Sequence, residues 1–236
     1  MKIDSLKEAT AALKTYLKEY SLEEIISNDK HNSRLSSIYR KYHALLIWHA
    51  YLNSNKSKIN TLEKDNFFLY FNETISDMCQ AILLWNHGLY KPSYLILRSS
   101  IENFLKCVGL QQGQAILKLS STYDLFAVIN GTKIVKDNVS VDKAFKYLRS
   151  KYTILCDYVH TTKTTNMSLT TSVGIFPVFI DDKADFSSKL IQGIIRNYVT
   201  ILCFMFPNIL RIMHHSNYDS IFSVLLKETR KFVSKL

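Results

Sequence analysis

A chain of 236 residues, 47% of them apolar, can bury one well-packed core, and only 6 glycines and 3 prolines are available for turns. This composition excludes collagen-like and Gly/Pro-rich disordered architectures and favours long helices. The 30 Lys and Arg against 20 Asp and Glu give a net charge of +10, which fits either a phosphate-bearing or acidic partner or a solvated lysine-rich surface.

Apolar residues recur at spacings of three and four in segment after segment, which is the period of an amphipathic helix. Each such segment is therefore expected to form a helix that buries one face. In chain order we predict two helices within residues 2–52 and then helices over about 61–87, 92–110, 115–129, 140–160, 186–215 and 218–236.

Glycine and proline mark the ends of several predicted helices. Gly88 is expected to end one helix, and Pro92 fits the first turn of the next, so that the two form a helical hairpin. Asn130 and Gly131 mark a turn, and Pro207 is expected to break the long apolar helix near the C-terminus.

Residues 161–182 depart from the helical period. This stretch opens with several threonines and continues with β-branched and aromatic residues from Val173 to Ile180, which favour extended backbone. We expect a small non-helical excursion that packs on the helices. No repeat or linker divides the chain, so the sequence predicts an all-α, single-domain helical bundle over residues 1–236.

The cysteines and the most apolar run indicate the compartment. Cys79, Cys107, Cys156 and Cys203 stand singly in apolar or amphipathic segments, which predicts buried thiols in a reducing compartment. The first residues lack the continuous apolar stretch of a secretory signal, and the run over 198–213 is too short and too polar to span a bilayer. A cytoplasmic protein without membrane association is expected.

Several well-known motifs are missing from the sequence. There is no GxxxxGK[ST] phosphate loop, no GxGxxG, no HExxH and no GxSxG, which makes P-loop, zinc-protease and serine-hydrolase chemistry poor candidates. His43 and His49 fall on different helix faces, and the adjacent His214 and His215 point apart, so neither pair suits a metal. The prediction is a protein with no metal site and no cofactor.

Arg98 and Glu102 form the first candidate site. On the predicted helix Arg98 lies about 20° beyond the buried Leu105, and Glu102 lies about 40° further round, at the edge of the buried face. Four residues apart, the two side chains can form an ion pair that holds the guanidinium partly out of water. The alternative interpretation is an ion pair at the edge of the core with no further role.

His160 is the second candidate. It lies about 40° past Cys156 on its helix, and Arg149 lies about 20° before it, again beside the buried face. At the C-terminal end of the helix the dipole favours a protonated imidazole. A histidine that only caps the helix would occupy the same position.

Two segments carry a family resemblance: Leu-Arg-Ser-Ser-Ile-Glu at 97–102 and Leu-Cys-Asp-Tyr-Val-His at 155–160. Together they resemble HEPN-like helical proteins of bacteria, which include abortive-infection and other defence-associated members, over about residues 65–215. The resemblance implies a helical bundle, a homodimer and, in active members, metal-independent RNA cleavage by an arginine and a histidine in a cleft between two protomers.

The sequence departs from that family in one respect. Active members usually carry the arginine and the histidine on one helix with four to six residues between them, and no arginine here is followed by a histidine at that spacing. We therefore predict a site assembled from two helices. His160 would act as general acid or base, Arg98 would stabilise charge on the phosphate, and Glu102 would hold Arg98.

The predicted substrate is RNA or another phosphate-bearing ligand. Its phosphates are expected to contact side chains on both sides of His160, namely Arg149, Tyr158, Thr161, Thr162 and Lys163. The functional prediction is a HEPN-like ribonuclease or RNA-processing effector of a bacterial defence or toxin–antitoxin system.

A non-catalytic function is the alternative. Lysines spread along the whole chain rather than along one stripe also suit a helical subunit that binds and regulates another protein or a nucleic acid. Such a partner protein would belong to the same defence operon.

Overall fold

The computed structural model describes residues 5–19, 22, 25, 27–61, 63–119, 121–160, 164 and 177–235. Within these ranges the chain forms eleven α-helices, two short 3-10 turns and no strand, so the predicted all-α fold class is confirmed. In chain order the helices are α1 (Leu6–Glu19), α2 (Asp29–Ser54), α3 (Lys64–Asn86), α4 (Tyr90–Gln111), α5 (Thr122–Asn130), α6 (Lys133–Lys136), α7 (Val139–Val159), α8 (Asp181–Met205), α9 (Pro207–Arg211), α10 (His215–Val224) and α11 (Lys227–Val233). The 3-10 turns are Lys56–Lys58 and Ile116–Lys118.

Helix α8 lies at the centre of the bundle and packs against α2, α3, α4 and α7. The ring of its fully buried Tyr198 stacks on Phe104 of α4 at 4.0 Å between centroids, and its hydroxyl lies 3.2 Å from Ser100 Oγ. Burying one side chain of this size contributes about 2–3 kcal/mol. Among the described residues, none of the helices combines the length and the hydropathy needed to cross a membrane.

The α3–α4 hairpin depends on Gly88. This residue has a φ of 73°, and its N–H donates to Trp85 O at 3.1 Å, while the N–H of Leu89 donates to Leu84 O at 2.9 Å. These two bonds satisfy the last carbonyls of α3 in a Schellman arrangement. A Cβ at Gly88 would collide with the backbone carbonyl of Val178. The predicted helix end at Gly88 is confirmed.

The structure divides two predicted helices. The segment expected to be helical over 115–129 forms a 3-10 turn and then α5, because Ser121 Oγ accepts the N–H of Tyr123 at 3.1 Å and caps a new helix. The predicted helix over 218–236 is interrupted between α10 and α11. There Arg230 donates to Ser223 O at 2.7 Å and to Leu225 O at 3.0 Å, which satisfies carbonyls at the end of α10.

Other predicted boundaries lie close to the observed ones. The expected break at Pro207 is confirmed: α8 ends at Met205, and the proline occupies the first turn of α9, where its missing N–H has no intrahelical partner to lose. The predicted non-helical excursion is described only in part. Residues 177–180 are non-helical, residues 181–182 already belong to α8, and 161–163 and 165–176 lie outside the described residues.

The prediction that every cysteine is buried is wrong for two of the four. Cys107 and Cys203 are buried, whereas Cys79 is exposed and Cys156 is only partly covered. Cys79 follows the buried Met78 by one residue, a rotation of about 100° that turns it away from the core.

A buried histidine joins α2 to the end of α3. The imidazole of His31 stacks on the indole of Trp85 at 4.3 Å between centroids, and its Nε2 lies 3.0 Å from Asn86 Oδ1. Because Asn86 Nδ2 donates to Ile82 O, Oδ1 is the acceptor and Nε2 carries the proton. The buried Nδ1 has no partner among the described residues. Burial lowers the pKa of His31, and the nearby charge of Arg34 lowers it further.

We expect this histidine to make the protein less stable in mild acid. The unfolded histidine binds its proton near pH 6.5, whereas the folded one stays neutral to lower pH, so the free energy of unfolding should fall as the pH drops below about 6.5, by at most about 1.4 kcal/mol per pH unit. His31→Phe keeps the stacking on Trp85 and should remove this part of the slope. Urea unfolding between pH 7.5 and 5 measures it.

His215→Gln, which removes an exposed histidine of α10, is the control. Its stability should keep the wild-type dependence on pH, because only a buried histidine is expected to cause the slope. An unchanged slope in His31→Phe would show that His31 does not cause the acid sensitivity.

Candidate functional site

Helices α4 and α7 pack side by side and bring most of the candidate residues onto one pair of elements. The ring of Tyr94 on α4 lies 4.8 Å from that of Tyr158 on α7, and Arg98 Nε donates to Tyr152 Oη at 3.2 Å. Moving forward along α4 therefore means moving backward along α7, so the two helices are antiparallel.

Arg98, Glu102 and Tyr152 form one hydrogen-bonded cluster. Arg98 Nη2 lies 3.2 Å from Glu102 Oε1, and the two side chains are 27% and 28% exposed. The Tyr152 hydroxyl donates to the same Oε1 at 2.7 Å, and its ring centroid lies 5.4 Å from the guanidinium carbon of Arg98. The predicted pairing of Arg98 with Glu102 is present. Tyr152, a buried residue of α7, completes the cluster.

The cluster fixes the protonation of its members. Burial by itself would lower the pKa of Arg98, but the hydrogen bond to Tyr152 and the charge of Glu102 outweigh it and raise the pKa. Burial, reinforced by the bond to the Glu102 carboxylate, raises the pKa of Tyr152 to about 12. At neutral pH the guanidinium is charged and the phenol is protonated.

One edge of the Arg98 guanidinium remains available. Nε and Nη2 are held by Tyr152 and Glu102, while Nη1 has no hydrogen-bond partner in the part of the chain that the structure describes. A planar guanidinium that is fixed on one side and partly exposed on the other suits a phosphate oxygen. The geometry therefore supplies a preorganised cation for an oxyanion.

His160 does not join this cluster within one chain. It follows the last residue of α7, is exposed, and its N–H donates to Cys156 O at 2.9 Å. It lies eight residues beyond Tyr152, which corresponds to about 12 Å along the axis of α7. The antiparallel register sets it level with residues 90–92 of α4, about 10 Å along the bundle from Arg98.

None of the other predicted substrate contacts in the described residues bonds to the Arg98 cluster. Tyr158 is half-buried between the rings of Tyr94 and Phe186, at 4.8 and 5.7 Å, which indicates a packing contact. Arg149 is exposed on α7, more than two turns before His160. The remaining predicted contacts, Thr161, Thr162 and Lys163, lie outside the described residues.

The buried carboxyl of Asp77 lies near Glu102 of the cluster. Asp77 of α3 accepts a hydrogen bond from Asn103 Nδ2 at 3.1 Å. Burial raises the pKa of Asp77, and the charges of Glu73 and Glu102 raise it further. Within the described ranges no group of three His, Cys, Asp or Glu side chains could hold a metal ion.

Comparison with protein-family models, with curated proteins and with solved structures found no match to this chain. The HEPN-like resemblance therefore remains a prediction that rests on the two segments at 97–102 and 155–160.

Sequence reasoning missed the role of Tyr152, although a signal was present. Tyr152, Cys156 and His160 are spaced by four residues each, so they form one stripe along α7 that turns by about 40° per step. Arg98 contacts the first of these three, and the charge of Glu102 reaches the same tyrosine. This spacing could have indicated that Tyr152, rather than His160, is the residue of the stripe that meets Arg98.

Proposed function

We propose that this protein is a HEPN-like, metal-independent ribonuclease or RNA-processing effector of a bacterial defence or toxin–antitoxin system. The observation that supports the proposal is the Arg98 guanidinium, which Glu102 and Tyr152 hold in place while one edge stays accessible. The net charge of +10 also favours a polyanionic substrate.

The chemistry assigned to these residues is transfer of a phosphoryl group within the RNA strand. The imidazole of His160 accepts the proton of a ribose 2′-hydroxyl, and the 2′-oxygen forms a bond to phosphorus. The bond from phosphorus to the 5′-oxygen breaks, and that oxygen takes a proton from water. Arg98 neutralises the charge that develops on the phosphate oxygens, while Glu102 and Tyr152 are positioning residues. The products are a 2′,3′-cyclic phosphate and a 5′-hydroxyl.

The distance between Arg98 and His160 in one chain means that the proposed site needs two copies of the chain. Because the two lie about 10 Å apart along the bundle in one chain, a single phosphate cannot contact both at hydrogen-bond distance. We place His160 of a second copy opposite Arg98 of the first. In a symmetric dimer this arrangement produces two identical composite sites.

The test is cleavage of a single-stranded RNA in the presence of EDTA. His160→Asn keeps a hydrogen-bonding side chain but cannot exchange a proton near neutral pH, so the cleavage rate should fall by about 100-fold or more. His215→Asn, an exposed histidine on α10, is the matched control and should keep the wild-type rate. Cleavage that is unchanged in His160→Asn would remove His160 from the mechanism.

The second candidate function is a non-catalytic helical subunit that binds and regulates another protein or a nucleic acid. The observation that favours it is the same separation of Arg98 and His160 within one chain. The Arg98 cluster is then a structural contact, in which an ion pair of α4 is hydrogen-bonded to Tyr152 of α7. Native mass spectrometry distinguishes the two. A protein partner held at fixed stoichiometry, together with no cleavage of RNA in EDTA, would favour the regulatory subunit.

A further inference from the structure

A buried lysine on α2 has no carboxylate partner among the residues that the structure describes. Lys41 is 4% exposed, and its Nζ donates to Ser37 O at 3.2 Å and to Gln192 Oε1 of α8 at 2.8 Å. An ammonium group has three N–H donors, and the third has no acceptor among the described residues. Burial, together with the nearby charges of Arg40 and Arg196, lowers the pKa of Lys41 to about 8.

Further cations surround this lysine. Arg40 is exposed next to it on α2, and the half-buried Arg196 lies one turn after Gln192 on α8. In the described ranges neither arginine forms an ion pair or a hydrogen bond through its side chain. Arg34 on the same helix differs from them, because it forms ion pairs with Asp181 at 2.6 Å and with Asp185 at 3.5 Å. The group around Lys41 therefore carries positive charge that no carboxylate of the described residues balances.

Helix α7 borders the same group of cations. Gly193 of α8 has no side chain, and the space is filled by the hydroxyl end of Tyr147 from α7. Lys151 Nζ lies 5.1 Å from the centroid of the Tyr147 ring. Tyr147 precedes Tyr152 by five residues, about 140° around the helix, so these cations lie on a different side of α7 from the Arg98 cluster.

We infer that Arg40, Lys41 and Arg196 form a binding site for a phosphate group, separate from the Arg98 cluster. Two arginines present several donors to an oxyanion, and the lysine supplies a third positive charge. A bound phosphate would supply the negative charge that balances the three side chains. The phosphate can belong to free inorganic phosphate or to an RNA backbone, and the RNA form of the inference rests on the proposed function.

The first experiment uses inorganic phosphate alone. Thermal unfolding of the full chain is measured in phosphate and in chloride at equal ionic strength. The wild type should be stabilised by about 2–4 °C in phosphate, because a ligand that binds only the folded state stabilises it. The double variant R40Q/R196Q should not show this stabilisation. Arg211→Gln, an exposed arginine on α9, should keep it.

The second experiment uses a 12-nucleotide 2′-O-methyl RNA, which binds but lacks the attacking hydroxyl. Fluorescence anisotropy at several salt concentrations gives the slope of log K against log salt. Each RNA phosphate that the protein neutralises adds about 0.7 to the magnitude of this slope. The magnitude should therefore be smaller by about 0.7 in R40Q/R196Q, which removes two of the three cations around one phosphate, and unchanged in Arg211→Gln.

The two experiments distinguish a failure of the phosphate-site inference from a failure of the proposed ribonuclease function. Stabilisation by phosphate that disappears in R40Q/R196Q, without any RNA binding by the wild type, supports a site for free phosphate and contradicts the ribonuclease proposal. The inference is overturned if the wild type and R40Q/R196Q bind RNA with the same salt slope and phosphate stabilises neither protein. That result would not bear on the role proposed for Arg98.

Discussion

Arg98→Lys is expected to lower the rate of RNA cleavage in EDTA by about 100- to 1,000-fold, the usual effect when a preorganised donor to a developing oxyanion is removed. Lysine keeps the positive charge. Its donors, however, all start from one nitrogen, whereas the planar guanidinium bonds Tyr152 and Glu102 through two different nitrogens and presents a third to the phosphate. The measurement is a single-turnover cleavage rate with protein in excess, so that binding and chemistry are separated.

Two controls define what this decrease means. Arg211→Lys makes the same chemical change on an exposed arginine of α9 and should leave the rate unchanged. Tyr152→Phe removes only the hydroxyl that joins Arg98 to Glu102, so a positioning role predicts a smaller decrease than that of Arg98→Lys. A wild-type rate in Arg98→Lys would contradict a catalytic role for this arginine.

Gly88→Ala is expected to cause a large decrease in stability. At a φ of 73° an alanine costs about 1–2 kcal/mol. The new Cβ would also collide with the carbonyl of Val178, and forced displacement of packed backbone adds about 1–3 kcal/mol. Urea unfolding should therefore show that the free energy of unfolding is lower by about 2–5 kcal/mol.

Gly113→Ala provides a matched comparison. Gly113 has a φ of 67°, but a Cβ there would meet no atom within 4 Å. This variant should show only the backbone contribution, about 1–2 kcal/mol. Equal decreases at the two glycines would show that the approach of Val178 to the turn contributes nothing to stability.

Local patterns were sufficient to predict most of the helices. The spacing of apolar residues depends on the helical period alone, and Gly88 and Pro207 act on their own backbone. The pairing of Arg98 with Glu102 was also predictable, because residues four apart on a helix are always neighbours. Each of these features is decided by residues within a few positions of one another.

The rest depends on contacts between distant parts of the chain. Tyr152 meets Glu102 across 50 positions, and Lys41 meets Gln192 across 151. Helix packing sets these contacts through the shapes of many side chains together, which no local spacing encodes. For the same reason the sequence could not show that the antiparallel register of α4 and α7 separates His160 from Arg98.

The proposed ribonuclease requires that Arg98 and His160 act together on one RNA phosphate, each supplied by a different copy of the chain. The most direct measurement is cleavage of RNA in EDTA by Arg98→Lys, by His160→Asn and by an equal mixture of the two after exchange of subunits. Each variant alone should be nearly inactive, and the mixture should recover about a quarter of the wild-type rate, since half of the dimers then carry one intact site of two. A wild type that leaves RNA intact, or a mixture no more active than its components, would contradict a site shared between two copies.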